Sequence, residues 1–197
     1  MARDDIDREA ALGHLRGYLL ALGIDLGDAV LGQSPERILN GHLEMLKGEG
    51  VDPLSVLSET FPAGHEEMVI LKDLAFSSLC EHHFLPFRGV AHVAYIPNSS
   101  GRITGLSNIA RLVDVLASRL QVQERLTTEI ARYLELSLHP RGVLVVIEAT
   151  HGCVVDRGVR KVGSTAVTSA VRGAFRNDGA TRAEAIELLR LGGSSLR

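Results

Sequence analysis

The chain has 197 residues, of which 45% are hydrophobic and 23% are charged, as is usual for a globular protein with one ordinary domain. Its formal net charge of −3 excludes a globally basic surface of the kind that attracts nucleic acid or anionic membranes. Any anionic ligand must therefore be held by a local cluster of Arg and Lys. Apolar runs are too short to cross a bilayer and the first residues lack signal-peptide character. We therefore expect a cytoplasmic protein with neither nucleic acid nor a membrane as partner.

Two amphipathic helices are predicted in an N-terminal segment, residues 1–62. Leucines recur at helical spacing within residues 4–23 and again within residues 34–48. The second helix is expected to begin at Ser34, an N-cap followed by proline. Turn-forming residues at 61–64 then predict a loop.

Residues 63–197 are predicted to form an α+β domain in the order β-β-α-α-β-β, followed by a helix. Its strands alternate with turn signals, and each helix carries apolar residues at helical spacing. The predicted elements are strands from 68 to the first cysteine, 90–96, 143–149 and 165–173, helices 106–118 and 122–138, and a last helix opened by a capping box at Thr181–Glu184.

The only two cysteines of the sequence both lie beside histidine, in C-E-H-H at 80–83 and in H-G-C at 151–153. Thiolate and imidazole are ligands that suit zinc, and Cys80, His83 and Cys153 would leave a fourth tetrahedral position open, as catalytic sites do. The first motif ends a predicted strand and the second follows one, so an antiparallel sheet could bring them together. On spacing alone, two buried cysteines that act as small hydrophobic residues remain an alternative.

Six longer motifs surround these residues. They are LCEHHFLPF at 79–87, AYIP at 94–97, TGLS at 104–107, QVQERLT at 121–127, EATHGC at 148–153 and RGV at 157–159. In this order they resemble the GTP cyclohydrolase I family over nearly the whole chain. The resemblance implies the tunnelling fold, an antiparallel β-β-α-α-β-β sheet with helices on one face, preceded here by the N-terminal helical segment. It also implies a ring-shaped homo-oligomer, commonly a decamer, with active sites at subunit boundaries.

The resemblance implies a Zn²⁺-dependent hydrolase that opens the imidazole ring of GTP, releases formate and forms 7,8-dihydroneopterin triphosphate. Cys80, His83 and Cys153 match the zinc ligands. His82 and His151 match histidines that transfer protons, for which imidazole is suited near neutral pH.

Other matched residues are implied in substrate binding. Glu124 matches the carboxylate that accepts two hydrogen bonds from one edge of guanine, a pairing that adenine cannot reproduce. Ser107 matches a catalytic serine near the ribose and phosphates. The remaining matched positions are Leu106, Val122 and Gln123 around the substrate, and Arg37, Arg111 and Arg157 at the triphosphate.

The chain departs from the family pattern mainly at the phosphate end. Asn40 and Asn108 stand where the family has lysines, Asp156 adds an acidic group, and Ala166 replaces a usual threonine. One interpretation is an ordinary GTP cyclohydrolase I. Another is a specialised paralogue that takes fewer phosphates or stops after ring opening. A non-catalytic scaffold and a nitrile reductase of the same fold are less favoured, because the zinc and proton-transfer positions are complete.

Overall fold

The computed structural model describes residues 6–191, and they form an α+β structure built on a five-stranded sheet. The strand order is β5-β2-β3-β6-β7, with antiparallel pairing everywhere except between β5 and β2. The strands are β1 (Thr60–Pro62), β2 (Val69–Cys80), β3 (Pro86–Ile96), β4 (Arg102–Thr104), β5 (Leu120–Gln121), β6 (Gly142–His151) and β7 (Ala166–Gly173).

Helices precede, interrupt and follow the sheet. None of the helices within residues 6–191 is long and apolar enough to span a bilayer. The helices are α1 (Arg8–Ala21), α2 (Ser34–Met45), α3 (Leu106–Ala117), α4 (Gln123–Leu138), α5 (Gly152–Val155), α6 (Ala174–Asn177) and α7 (Gly179–Arg190).

The predicted β-β-α-α-β-β order is confirmed by β2, β3, α3, α4, β6 and β7, whereas several predicted boundaries are wrong. Helix α1 begins at Arg8 because the Asp7 carboxylate caps it by accepting from the Ala10 N–H; residues 4 and 5 of its predicted span lie outside the described residues. Ser34 is the first residue of α2 rather than its cap.

Two further corrections concern the loop at 61–64 and the last helix. The loop contains the end of β1, which pairs with β4. Helix α7 is capped by Asp178, which accepts from the Ala180 N–H and from the Thr181 hydroxyl, so the predicted capping box lies inside the helix. The division of the chain at residue 62 stays a prediction.

The main core lies between one face of the sheet and helices α3 and α4. Every second side chain of β3 and β6 points into it, as expected for strands with one face against helices. The buried members include Ala91, Val93 and Tyr95 of β3, Val143, Val145 and Ile147 of β6, Ile109, Leu112 and Leu116 of α3, and Leu126, Ile130 and Leu134 of α4.

The opposite face of the sheet is more polar. Arg88, Glu148 and Thr150 line a groove of about 720 Å³ on this face. Next to them, His92 accepts a hydrogen bond at Nδ1 from the backbone N–H of Asp73, where the β2–β3 pairing is irregular.

The two ends of the sheet are called the cysteine end and the α3 end. At the cysteine end, β2 finishes at Cys80, β3 starts at Pro86 and β6 finishes at His151. At the α3 end, β3 finishes at Ile96, and the chain turns through β4 into the N-terminus of α3. The eleven residues of β3 run between the two ends and span roughly 30 Å at the rise of a strand.

Candidate functional site

Three potential metal ligands converge at the cysteine end. One donor atom from each of Cys80, His83 and Cys153 lies within 4.8 Å of the others. Both cysteines are free thiols; Cys80 is buried and Cys153 is partly buried. The predicted meeting of the two cysteine motifs is therefore confirmed at the level of geometry.

A tight turn brings Cys80 and His83 together. The Cys80 N–H donates to the carbonyl of Leu85, and the Phe84 N–H donates back to the carbonyl of Cys80, both at 2.9 Å. Phe84 adopts a φ of 56°, a left-handed conformation that reverses the chain within the turn. The imidazole of His83 is thereby carried back toward the thiol three residues before it.

Strand β5 and helix α4 hold the same turn from the other side. The backbone N–H of Glu81 donates to the carbonyl of Gln121 at 3.0 Å, and the Glu81 carboxylate pairs with the guanidinium of Arg125. This hydrogen bond lowers the pKa of Glu81. Arg125 also donates to the side chain of Gln121 and to the carbonyl of Leu120. The turn and the first residues of α4 consequently form one connected unit.

The second motif needs its glycine for close approach. A Cβ on Gly152 would lie 3.0 Å from the carbonyl oxygen of Pro86 and 2.9 Å from the Asp156 carboxylate. With no side chain there, α5 packs against the start of β3. This packing places Cys153 beside Cys80.

The donor set fits a divalent cation. Burial raises the pKa of the Cys153 thiol, and the neighbouring Cys80 raises it further, because two adjacent thiolates repel in a partly desolvated place. A divalent cation between them would offset that repulsion and favour the thiolate forms. Two sulfurs and one imidazole are a ligand set that zinc accepts in catalytic sites.

His151 lies beside this group with a fixed ring. It stacks on Phe87 with a centroid separation of 4.8 Å and an interplanar angle of 1°, and its Nε2 lies 2.7 Å from Oε1 of Gln123. Burial lowers the pKa of His151, while the Glu124 carboxylate acts in the opposite direction.

The hydrogen bonds of Gln123 determine the tautomer of His151. Nε2 of Gln123 points at three acceptors: the carbonyls of Ile147 and Ala166 and the hydroxyl of Thr168. This fixes the amide so that Oε1 faces His151, and an amide oxygen can only accept. The Nε2 of His151 must therefore carry the proton, which leaves Nδ1 as the nitrogen that can exchange one.

Glu124 and Val122 lie where α4 begins. Val122 is the N-cap residue, and Glu124 stands in the first turn, close enough to His151 to affect its pKa. His82 points away from the ligand group: its side chain is 65% exposed, and its Nε2 lies 3.8 Å from the Glu81 carboxylate.

The remaining predicted residues lie elsewhere, except Arg157, whose charge acts on the Cys153 thiol. Leu106, Ser107 and Arg111 belong to the first half of α3, at the α3 end of the sheet. Arg37 lies on α2, where it donates to the side chain of Gln33. Within one chain, the structure therefore brings the metal ligands together with His151, Glu124 and Arg157, whereas the other positions predicted for the ribose and phosphates lie on α2 and α3.

Sequence reasoning missed three supporting contacts. Gln123 was predicted to bind substrate, whereas its side chain is 1% exposed and engaged with His151. Neither the stacking of Phe87 on His151 nor the Arg125–Glu81 pair was foreseen. Glu81 and Arg125 carry opposite charges but are 44 residues apart, so the sequence alone did not indicate that they pair.

The sequence is similar to those of known proteins over most of its length. A family model described as GTP cyclohydrolase I matches residues 12–190. A protein named GTP cyclohydrolase 1 from Thermobifida fusca (strain YX) is 51% identical over 189 residues, which are 96% of this chain and 91% of that protein. One with the same name from Corynebacterium glutamicum (strain R) is 48% identical over 186 residues, 94% of this chain and 95% of that protein. A solved structure, of the archaeosine synthase QueF-Like in the apo form, is similar with a TM-score of 0.44 and 19% identity over 54% of this chain and 93% of that chain.

Proposed function

The chain belongs to the GTP cyclohydrolase I family, and we propose that it acts on GTP with a Zn²⁺ ion held by Cys80, His83 and Cys153. It is a hydrolase of that family and has its tunnelling fold. The observation that carries the proposal is the convergence of these three donors beside His151 and the first turn of α4. We place the reaction in the cytoplasm, where a reducing environment keeps both thiols free.

The base end of the substrate is bound by α4. The Glu124 carboxylate accepts two hydrogen bonds from the N–H groups on one edge of guanine. The main chain at Val122 and Gln123 lines the base, since the side chain of Gln123 is already used by His151. Guanine held in this way turns its imidazole ring toward the three donors.

The ring-opening step needs an electrophilic centre and a proton carrier on the same side of the base. When bound, zinc supplies Lewis acidity and a means of ionising water near neutral pH. His151 passes a proton through Nδ1, because its Nε2 proton is held by Gln123. His82, which is exposed beside the turn, is a second proton carrier.

We expect the phosphate end to be completed by a second copy of the chain, as the family resemblance implies. Ser107 and Arg111 lie in the first half of α3, which begins at the end of the sheet opposite the cysteine end. A ring of copies, of which a decamer is the expected form, would place the α3 end of one copy at the cysteine end of its neighbour. Arg37 and Arg157 complete the cations for the triphosphate.

The test is incubation of the zinc-loaded protein with GTP, GDP, GMP and guanosine, with formate release and pteridine absorbance followed separately. We expect both signals from GTP and little turnover of guanosine. Turnover of GMP or GDP in preference to GTP would instead support the specialised paralogue, which the amides at Asn40 and Asn108 favour. Formate without pteridine would mean that the reaction stops after ring opening. No formate from any substrate would contradict the proposal.

A further inference from the structure

A chain of three hydrogen bonds links the carbonyl of Glu59 to an exposed arginine at the α3 end. The hydroxyl of Thr104 donates to the carbonyl of Glu59 at 2.8 Å, and the amide nitrogen of Asn108 donates to the same hydroxyl oxygen at 3.2 Å. The guanidinium of Arg111 then donates to the amide oxygen of Asn108 at 3.3 Å. Thr104 and Asn108 are buried, at 2% and 6% exposure, whereas Arg111 is exposed.

The first hydrogen bond determines the orientation of the Asn108 amide. A hydroxyl has one hydrogen, and Thr104 has given it to the carbonyl of Glu59, so its oxygen can only accept from Asn108. The NH₂ group must therefore face Thr104, and the amide oxygen must face Arg111. Both side-chain polar atoms of Asn108 form hydrogen bonds within the chain. Any effect of Asn108 on a ligand is therefore expected to act through Arg111.

This arrangement gives a physical meaning to an amide at a position where the family has lysine. An ammonium group here has no acceptor to offer the guanidinium and would repel it. The asparagine lowers the number of cations by one but holds the remaining cation in a fixed place. A pre-oriented guanidinium loses less conformational freedom when it binds phosphate oxygens.

We propose that Asn108 is a positioning residue that holds the guanidinium of Arg111 ready for the phosphate chain of the substrate. The inference rests on the proposed function, which assigns Arg111 to that chain. It predicts that Asn108 acts on the affinity for phosphate groups and leaves the chemistry at the cysteine end unchanged.

The experiment is a double-mutant cycle of N108A and R111A. Binding of inorganic tripolyphosphate is measured by calorimetry on the zinc-loaded protein, alongside KM and kcat for GTP. We expect N108A to raise the Kd for tripolyphosphate and the KM for GTP about tenfold, with kcat within about twofold. In the R111A background, the same change should alter neither constant by more than about twofold.

Asn98 offers a matched control at the same end of the sheet. Its amide donates to the carbonyl of Leu138 and accepts from Ser100, and neither partner is an arginine. N98A should lower the unfolding temperature without changing the Kd for tripolyphosphate. Thr104→Val is a second variant, used if N108A does not fold, because it leaves the Asn108 amide free to turn. It should raise the Kd for tripolyphosphate about threefold when Arg111 is present and leave it unchanged in the R111A background.

An equal effect of N108A with and without Arg111, or an unchanged Kd in folded N108A, would overturn the inference. Because tripolyphosphate binding needs no turnover, the cycle can be read even if GTP releases no formate. In that case the proposed function fails while the role of Asn108 is still decided.

Discussion

The cysteine end and the α3 end differ in how firmly their functional residues are held. At the cysteine end, Cys80, His151 and Gln123 are fixed by main-chain hydrogen bonds, ring stacking and a buried amide with four partners. At the α3 end, Leu106 is 53% exposed and Arg111 is anchored through one amide. Bond breaking depends on sub-ångström placement, whereas phosphate binding tolerates a less rigid anchor for the cation. None of the three metal ligands departs from the family pattern, whereas Asn108 does so at the α3 end and Asp156 and Ala166 do so near the cysteine end.

The largest effects are expected from two variants at the cysteine end, one that removes a metal ligand and one that removes a proton carrier. Cys153→Ser should remove bound zinc and lower formate release by at least about 1000-fold, because the ligand set loses a thiolate. His82→Gln should retain zinc and still lose most activity, since His82 lies outside the ligand group. Zinc content and formate release are measured on the same samples. An active Cys153→Ser enzyme without metal would contradict the assignment.

A mixing experiment tests whether the two ends of different copies form one site. Chains carrying His83→Ala and chains carrying both Ser107→Ala and Arg111→Ala should each be inactive alone. Co-expressed in equal amounts, they should recover roughly a quarter of wild-type activity. With random mixing, about one site in four combines an unaltered cysteine end from one copy with an unaltered α3 end from its neighbour.

The control for this experiment mixes two chains damaged at the same end. His83→Ala with Cys153→Ala leaves every cysteine end defective, so activity should stay absent. Equal recovery in the two mixtures, or none in either, would show that the ends do not share a site between copies.

A moderate effect is expected from the tautomer of His151. Gln123→Leu removes the acceptor for the Nε2 proton and should lower kcat about 10- to 100-fold while zinc content stays constant. Gln123→Glu keeps an acceptor at that position and should retain more activity than the leucine variant. If Gln123→Leu turned over GTP as fast as the wild type, the tautomer would have no role in the rate.

The smallest effect is expected midway between the ends, at His92, and should concern stability alone. Burial lowers the pKa of His92, with the Asp73 and Glu148 carboxylates acting against it and Lys72 with it. The folded state therefore favours the neutral imidazole. The contribution of His92 to the free energy of unfolding is complete above the pKa of the unfolded state, about 6.5, and is lost as pH falls through the lower pKa of the folded state.

Urea unfolding of His92→Asn at several pH values measures this contribution. The amide can still accept from the Asp73 N–H but does not titrate, so the decrease in stability below about pH 6.5 should be smaller than in the wild type. His92→Ala should cost about 1 kcal/mol at neutral pH, because that N–H loses its partner. An unchanged pH dependence in His92→Asn would assign it to other groups.

The sequence predicted what depends on periodicity and ligand chemistry. The strands and helices of the sheet follow from alternating and helical spacing, and the convergence of Cys80, His83 and Cys153 follows from their places at strand ends. The cap of α7 was misassigned because Asp178 and Thr181 both suit a cap, and only the backbone path decides between them. The role of Gln123 was hidden because it depends on acceptors 24 to 45 residues away.

The connection between Glu81 and Arg125 has a consequence for which bases can react. It connects the turn that carries Cys80 and His83 to the helix that carries Glu124. The distance between the metal site and the Glu124 carboxylate is therefore held constant. Under the proposed function, we expect that spacing to suit a fused two-ring base. A pyrimidine bound to Glu124 would not extend as far as the metal site. The enzyme would then fail to act on it because the base is too short, and no steric clash would be needed.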